Sequence, residues 1–594
     1  MKNKLSLKER WQGLTDTVNR FSLTFILLIT AMVSGAIAIE TPDNLIFSRF
    51  YISFLIGAML FAVLQMLYER FFSNPVLRLI FALVSVGATA LYYAAVHASD
   101  WSIAVTVRTL VIMFLLLIGL IWIPVIKSGN NFNESFMAVF KAFFISVFFD
   151  GVLYLGVVLI IAATNLLIFK VNSDSYLHAA NIIFVLIAPT YLLSMLPVYQ
   201  GKMVQDEQEN SLEAKQAAIA KMTAPGKFLE TLISYVIIPI TAVFTIILLL
   251  YIIMNITGEF WTDSLMEPML VSYSITVIIV YILSSTINNL FARYFRMIFP
   301  KVLLPVVLFQ TISSILKIGN VGITYGRYYA VLFGVFAVVA GFLFCFIPPR
   351  KNGIIAPILI ALSVISILPP VDSFTVSKYS QIRLLRNVLE QNNMLSGDTI
   401  TPRSDLPEEA RNDIVKAVSY IDRMDYTGEV SYLSSYYTSE NFEKTFGFAQ
   451  YGEGDKYQRN YYLSRNAMEP IPVAGYDYMV EINVNNYAKD SAIYNFTSDG
   501  QTYHIRFDSF GVNDPMLRIE DDQGVELLRY QLNDLFAGFM DYAGGKEAVP
   551  TSDLIFSQEN DTALLTLIAN SISYTEWSGG SDRVADLILL INIK

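Results

Sequence analysis

Long apolar stretches separated by short polar ones fill the first 371 residues, and the pattern then changes to an alternation of period two. Crossing about 30 Å of hydrocarbon takes roughly 20 apolar residues in a helix. Eleven stretches approach that length: 21–39, 50–68, 76–96, 103–126, 138–169, 179–199, 228–254, 268–291, 302–318, 328–347 and 353–371. The fifth is overlong. The ninth is the shortest, which leaves open whether 302–318 crosses or dips in and returns to the same side. The first follows Lys2, Lys4, Lys8, Arg10 and Arg20, but it is long for the apolar core of a secretory signal and reads as an uncleaved span.

Beyond residue 371 two amphipathic helices come first. Ile382, Leu385, Val388 and Leu389 form a helical stripe within Ser380 to Leu395, with Gly397 as a stop. The next helix has Ser404 or Asp405 as cap, Pro407 and two glutamates at its start, and Ile414, Val418 and Ile421 on one side. From about Gly428 the strand alternation predicts Val430 to Tyr432, Tyr478 to Val484, Ala492 to Phe496, Tyr503 to Phe507, Met516 to Ile519, Val525 to Tyr530, Ala563 to Ile568 and Ala585 to Ile593. A helix over Leu532 to Tyr542 interrupts the series. The expected fold is a polytopic α-helical membrane protein of about 11 transmembrane helices with a C-terminal β-rich α+β soluble domain. Its parts are a basic cytoplasmic terminus (1–20), the bundle (21–371, with a polar cytoplasmic helix over 200–227), a helical neck (372–427) and an extracytoplasmic β-rich domain (428–594).

Charge sets the expected orientation. Residues 1–371 hold 23 Lys and Arg against 17 Asp and Glu, whereas 372–594 hold 18 against 34. If the amino terminus is cytoplasmic, 18 of those 23 basic residues fall on the cytoplasmic side, and only Arg49, Arg108, Lys170, Lys317 and Arg327 lie outside. An odd number of spans then places the acidic tail outside, in the setting of a bacterial inner membrane. A tail of that charge excludes nucleic acid as its partner, and the single cysteine, Cys345, excludes an intrachain disulfide or a thiolate metal cluster.

Candidate chemistry is sparse. Asp150 lies near the middle of the fifth run, where an ionisable group costs at least about 2.5 kcal/mol. It reads as a proton or cation site, as the partner of a basic group such as Arg108, or as a group close to the interface. Gln310, Ser313, Ser314 and Lys317 share one helical face, either lining a cavity or bonding to a neighbouring helix. Glu40 and Asp43 stand in the first outer loop, and Glu520-Asp521-Asp522 sits at a hairpin turn. Tyr432, Tyr436, Tyr437, Tyr461 and Tyr462 read as a glycan or peptide platform or as strand filler. The residues point to no catalytic group, cofactor or metal.

The loop Gly319 to Tyr329 holds three glycines and reads as a tight connection or a broken helix, with Arg327, Tyr328 and Tyr329 as interfacial anchors. Gly322-Ile323-Thr324 and Arg327-Tyr328-Tyr329, with Gln381-Ile382-Arg383-Leu384-Leu385, Gly397-Asp398-Thr399-Ile400 and Ile414 to Tyr420, resemble the family of domain of unknown function 4153. The resemblance covers roughly 20–440. It implies a bacterial multi-span membrane protein with a soluble tail and transfers no catalytic residue.

Three function classes follow. The first is an envelope scaffold or sensor whose outer domain binds a protein or glycan while the lipid bilayer anchors it. The second is a secondary transporter using Asp150 and the Gln310 to Lys317 stripe. The third is a glycosyltransferase-like membrane enzyme with Glu40 or Asp43 as acid.

Overall fold

The computed structural model describes residues 15–97, 101–199, 216, 219–255, 266–433, 437, 441–450, 459–466, 468–486, 492–498, 500–510, 514–536, 548–577 and 580–594. Most of the expected polar helix over 200–227 and the basic residues before Thr15 lie outside these. The chain divides into two compact units, one of residues 1–401 and 405–439, the other of 402–404 and 440–594.

In the first unit the runs become helices α1 (Ser22–Glu40), α2 (Leu45–Phe71), α3 (Pro75–His97), α4 (Ile103–Trp122), α5 (Phe132–Leu167), α6 (Asp174–Asn181), α7 (Ala188–Ser194), α8 (Lys227–Leu232), α9 (Ile238–Asn255), α10 (Met266–Ser284), α11 (Leu290–Val321), α12 (Tyr325–Phe346) and α13 (Ile355–Ile365). Among the described residues nine helical stretches are long and apolar enough to cross a membrane, and Pro268–Ser284 is a shorter one. Leu79, Leu83, Leu91, Leu155, Leu159 and Ile253 stand exposed on these helices, as a lipid-facing surface requires. Small residues let the helix backbones approach. A Cβ on Gly57 of α2 would collide with Thr89 Oγ1 of α3, and one on Gly334 of α12 would collide with Thr311 Oγ1 of α11.

Two spans change hydrogen-bond register just before a proline. A proline has no N–H for the carbonyl four residues back. Before Pro189 and before Pro239 the helix adopts the five-residue π register, in Ile182–Ile187 and Ile233–Ile237, where Ala188 N–H bonds Ile183 O and Ile238 N–H bonds Ile233 O. The π turn joins α6 to α7 and α8 to α9 without a break in direction that a loop would bring.

Contacts at the helix ends identify the two ends of the bundle. At the amino-terminal end Arg20 pairs with Glu69 at 2.7 Å and bonds Leu196 O, Arg78 bonds Asn19 O and Arg20 O, Asn133 bonds Pro349 O, and Arg296 bonds Ser284 O and Ile287 O. At the opposite end, called here the neck end, Arg49 meets His97, His178 meets Glu40 at 2.8 Å and Arg108 meets Asp372 at 2.8 Å.

The ninth run neither dips nor stops short. It is the second half of α11, a continuous 32-residue helix about 48 Å long that starts at the Asn289 cap. Arg293, Arg296, Lys301 and Pro300 had hidden its first half from a hydropathy reading. The eighth run ends at Ser284, short of the expected 291, because residues 285–289 turn the chain. The eleventh run gives only 11 α-helical residues after a 3₁₀ stretch, Pro349–Ile354. It still traverses the bundle, because Gly353 lies against Phe132 and Trp122 at one end of α4 and Asp372 is bonded to Arg108 near the other. Those two levels of α4 are about 21 Å apart along the helix axis.

Helices α14 (Ser373–Gln391) and α15 (Glu408–Arg423) belong to the same unit as the spans and pack on each other. Between them Leu395–Ser396 (β1) and Thr399–Ile400 (β2) form a hairpin whose Gly397 has φ +60°. Helix α14 starts seven residues before the expected Ser380, at an Asp372 cap. Val430 to Tyr432, expected as a strand, enters a turn in which Tyr432 is buried and donates to Ile382 O.

The second unit carries a short helix, α16 (Phe442–Phe446), and two sheets. One is ordered β4-β12-β11-β3-β9, with β10 also on β11: β3 (Arg459–Arg465), β4 (Tyr478–Asn485), β9 (Ala548–Val549), β10 (Ile555–Glu559), β11 (Ala563–Trp577) and β12 (Gly580–Ile593). The other is the antiparallel meander β5 (Ala492–Ser498), β6 (Gln501–Phe507), β7 (Met516–Asp521) and β8 (Glu526–Gln531). Inward residues of both, among them Ile482, Val484, Ile505, Leu517, Ile519, Leu565, Leu587 and Leu589, form one core. Of the expected helix from Leu532, a 3₁₀ turn to Phe536 is described and the remainder lies outside the described residues.

Candidate functional site

A set of mutually bonded buried polar groups lies at the neck end, where α11, α12, α4 and the two neck helices meet. It is built from the loop that joins α11 to α12. Gly322 ends α11 with φ +67° and ψ 177°, a backbone conformation open essentially to glycine alone. Thr324 then caps α12, its hydroxyl accepting from Arg327 N, and Arg327 Nη1 donates back to Gly322 O. The motif therefore makes a tight connection, and the helix is not broken at membrane depth.

Helix α14 is bonded onto this loop. Gln381, 2% exposed, donates through Nε2 to Val321 O and Ile323 O, both at 3.1 Å, while Ser380 Oγ accepts from Ile323 N at 2.9 Å. A Cβ on Gly322 would lie 2.8 Å from that Gln381 nitrogen. From α15 the Tyr420 hydroxyl accepts from Tyr325 N and donates to Ser377 Oγ, each at 3.0 Å. Tyr328 donates to Val371 O at 2.6 Å, and Tyr325 stacks on Phe374.

Asp372 closes the cluster. It is fully buried and accepts from Arg108 Nη2 at 2.8 Å, Phe374 N at 3.0 Å, Thr375 N at 3.2 Å and Thr375 Oγ1 at 2.5 Å. Burial acts to raise its carboxyl, but the hydrogen bonds from Thr375 and Arg108 outweigh burial and hold the group below the usual carboxylate range. Arg108 also lies over the Phe374 ring. Burial pushes the nearby Tyr426 phenol up to about 12.

Arg108 is thus the partner of Asp372. Its expected pairing with Asp150 does not form, because Arg108 sits in the first turns of α4 at the neck end, whereas Asp150 is midway along α5. Asp150 is 3% exposed, and its Oδ2 lies 2.6 Å from Ser146 Oγ. Gln310, Ser313 and Ser314 are buried, and Gln310 Nε2 reaches Ala330 O of α12, so the start of the stripe faces a neighbouring helix. Lys317 of the same stripe is partly exposed.

The remaining candidates are dispersed. Glu40 is bonded to His178, and Asp43 is exposed. Glu520 pairs with Arg506 at 2.8 Å, Asp521 caps its own hairpin turn through Gln523 N and Val525 N, and Asp522 lies 3.6 Å from His504. Tyr437, like Tyr432, is buried and Tyr462 is exposed, so those three present no shared face, while Tyr436 lies outside the described residues. Among the described residues no three His, Cys, Asp or Glu side chains converge as metal ligands.

Asp372, Ser377 and Tyr420 were missed as site residues by sequence reasoning. The signal for Asp372 was present as an aspartate directly before a helical stripe and after Pro369-Pro370, the pattern of an N-cap.

The chain belongs to the family of domain of unknown function 4153, DUF4153, whose model matches residues 24–400. The match ends on the β1–β2 hairpin and so takes in the loop, Asp372 and α14. Neither a curated protein nor a solved structure matches the chain.

Proposed function

We propose that this DUF4153 chain is an envelope scaffold or sensor, in which the spans hold a neck rigidly at one end of the bundle and the β-rich domain that follows binds a protein or glycan. The observation that carries the reading is the buried cluster from Gly322 to Asp372. Most of its polar groups are directed at one another and at the backbone, which supports a role in holding elements together. A fixed neck passes a load or a binding event on the outer domain into the helices.

The distribution of the basic residues supports an orientation. Arg20, Arg70, Arg78, Arg296, Arg350 and Lys351 belong to the amino-terminal end, whereas Arg49, Arg108 and Arg327 belong to the neck end. Under the positive-inside rule this favours a cytoplasmic amino terminus and an outward neck in a bacterial inner membrane.

Protease treatment of intact spheroplasts tests the reading. Cleavage after residue 440 without lysis is the expected result, and deletion of 440–594 removes the cellular phenotype while the bundle stays inserted. A tail protected until lysis refutes the orientation. A phenotype retained without the domain refutes the scaffold role. The second reading, a secondary transporter, draws on one observation: Asp150 is buried in a span with no ion-pair partner among the described residues. Solute uptake abolished by Asp150→Asn at unchanged protein level would favour it.

A further inference from the structure

Asp150 lies nine residues, about 13 Å along α5, from Lys141. Lys141 marks the amino-terminal end of the bundle by donating to Met222 O and Ala224 O, at 2.9 and 2.6 Å. The carboxyl is therefore deep in the span. Among the described residues, the elements packed on α5 place no ion-pair partner on it. On α5 itself Glu134 is held in the capping box with Asn131. From α6, Asp174 stands in the first turn and His178 is bonded to Glu40; the π turn and α7 hold no ionisable group except Tyr191, whose ring meets Phe149. From α4 comes Arg108, bound to Asp372; from α10, Tyr273 and Tyr281, bonded to Thr245 and Phe344 O; from Pro349–Ile354, Arg350 and Lys351, at the level of Asn133.

The hydrogen count at Ser146 is the informative feature. Its Oγ lies 2.6 Å from Asp150 Oδ2 and 3.0 Å from Ala188 O, and a hydroxyl has a single hydrogen for the two oxygens. With an ionised carboxylate, that hydrogen goes to Asp150 and Oγ faces the Ala188 carbonyl lone pair to lone pair. With a protonated carboxyl, the Asp150 O–H donates to Oγ and the Ser146 O–H donates to Ala188 O, so every contact has its hydrogen. Ala188 follows directly on the π turn forced by Pro189, a kind of irregularity that recurs at functional sites.

We propose that Asp150, Ser146 and Ala188 form a proton-binding site inside the bundle, loaded in this arrangement, with the ligand a single proton exchanged at the Asp150 carboxyl. Loading takes a proton from hydronium, leaving water, and forms the O–H bond at Asp150. Unloading breaks that bond, passes the proton to water and turns the Ser146 hydroxyl from Ala188 to Asp150. The site is independent of the scaffold reading, since it needs neither the neck nor the β-rich domain.

Infrared difference spectroscopy of the full chain in lipid nanodiscs at neutral pH tests this. Wild type minus Asp150→Asn should show the C=O stretch of one neutral carboxylic acid per chain. Asparagine keeps the shape and donates to Ser146 as the acid does, so the variant retains the fold. Ser146→Ala should leave the band but shift it, because the hydrogen bond is lost. A difference spectrum with carboxylate bands and no carboxylic acid band overturns the proposal. So does a band that disappears on adding sodium chloride at fixed pH, which would make the site one for a cation. A band unmoved by Ser146→Ala overturns the relay.

Discussion

If Asp372 fixes the neck to the spans, removing it should loosen α14 before it disturbs the bundle. Asp372→Ala deletes the N-cap acceptor for Phe374 N and Thr375 N, worth about 1 kcal/mol. It also deletes the charged bond from Arg108, for which about 1.5–3 kcal/mol is typical when both partners are buried. The Arg108 side chain is 36% exposed, so screening by water trims that contribution to about 1 kcal/mol. The total of about 2 kcal/mol raises the open population of α14 by roughly 30-fold. Arg108→Met keeps the stem over Phe374 but leaves Asp372 with its backbone and Thr375 donors, and should cost less. The double variant should fall short of the sum by about 1 kcal/mol, the coupling expected of contacting groups. Amide hydrogen exchange across Ser373–Gln391 in nanodiscs measures the opening directly and avoids a global unfolding midpoint for a multi-unit chain. Unchanged protection in Asp372→Ala, or single effects that add without coupling, would refute the clamp.

Gly322→Ala should destabilise the neck by about 1–3 kcal/mol, since its backbone conformation is essentially reserved for glycine; adding Gln381→Ala relieves the side-chain clash but not the backbone strain, so exchange protection of α14 should not recover. Gly57→Ala should lower the thermal stability of the bundle because the new methyl meets Thr89, and Thr89→Ala in the same chain should restore part of it. The neck also has a pH window with two limits. Asp372 has a folded value held below its unfolded one of about 3.8, so its contribution is complete above that pH and is lost as the pH falls through the folded value. Tyr426 is raised to about 12, so its contribution is complete below about pH 10 and is lost as the pH rises toward 12, which tyrosinate absorbance follows. Deleting 440–594 should leave α14 and α15 protected, whereas deletion from 372 onward removes the Arg108 partner and should expose the α11–α12 loop to protease.

The spans were legible because hydropathy at a 20-residue scale is a strong signal. Boundaries failed where a local feature competed with it. Asn289 starts α11 as a cap, and Arg293, Arg296 and Lys301 in its first turns carry the chain through the polar end of the bundle, so an apolar window catches only the second half. The strands of the second unit were legible from alternation, as in Tyr503 to Phe507, where every second residue is buried. Long-range pairing was not legible. The separation of 264 positions between Arg108 and Asp372 gives no spacing rule, and the eleventh run lying back along α4 brings the two together. Gly322 and Thr324 were visible as a motif, yet their roles as helix stop and helix cap depend on φ and on the next helix, which the motif alone does not state.

Two carboxylates in this chain are buried to nearly the same degree and differ in how their charge is handled. Asp372 accepts four hydrogen bonds, one from an arginine, so the ionised form is the one its surroundings satisfy. Asp150 meets one hydroxyl that a neighbouring carbonyl also claims, so its surroundings are satisfied by the protonated form. A group whose charge is fully matched is fixed and serves as a fastener, while one matched only with a proton in place changes its hydrogen-bond pattern whenever that proton leaves. The neck end, where Gly322, Gln381 and Asp372 meet, is therefore the fastened part of the unit. On the proposed proton exchange, the contact between α5 and α7 is the part that changes its hydrogen bonds, and the π turn before Pro189 lies beside it.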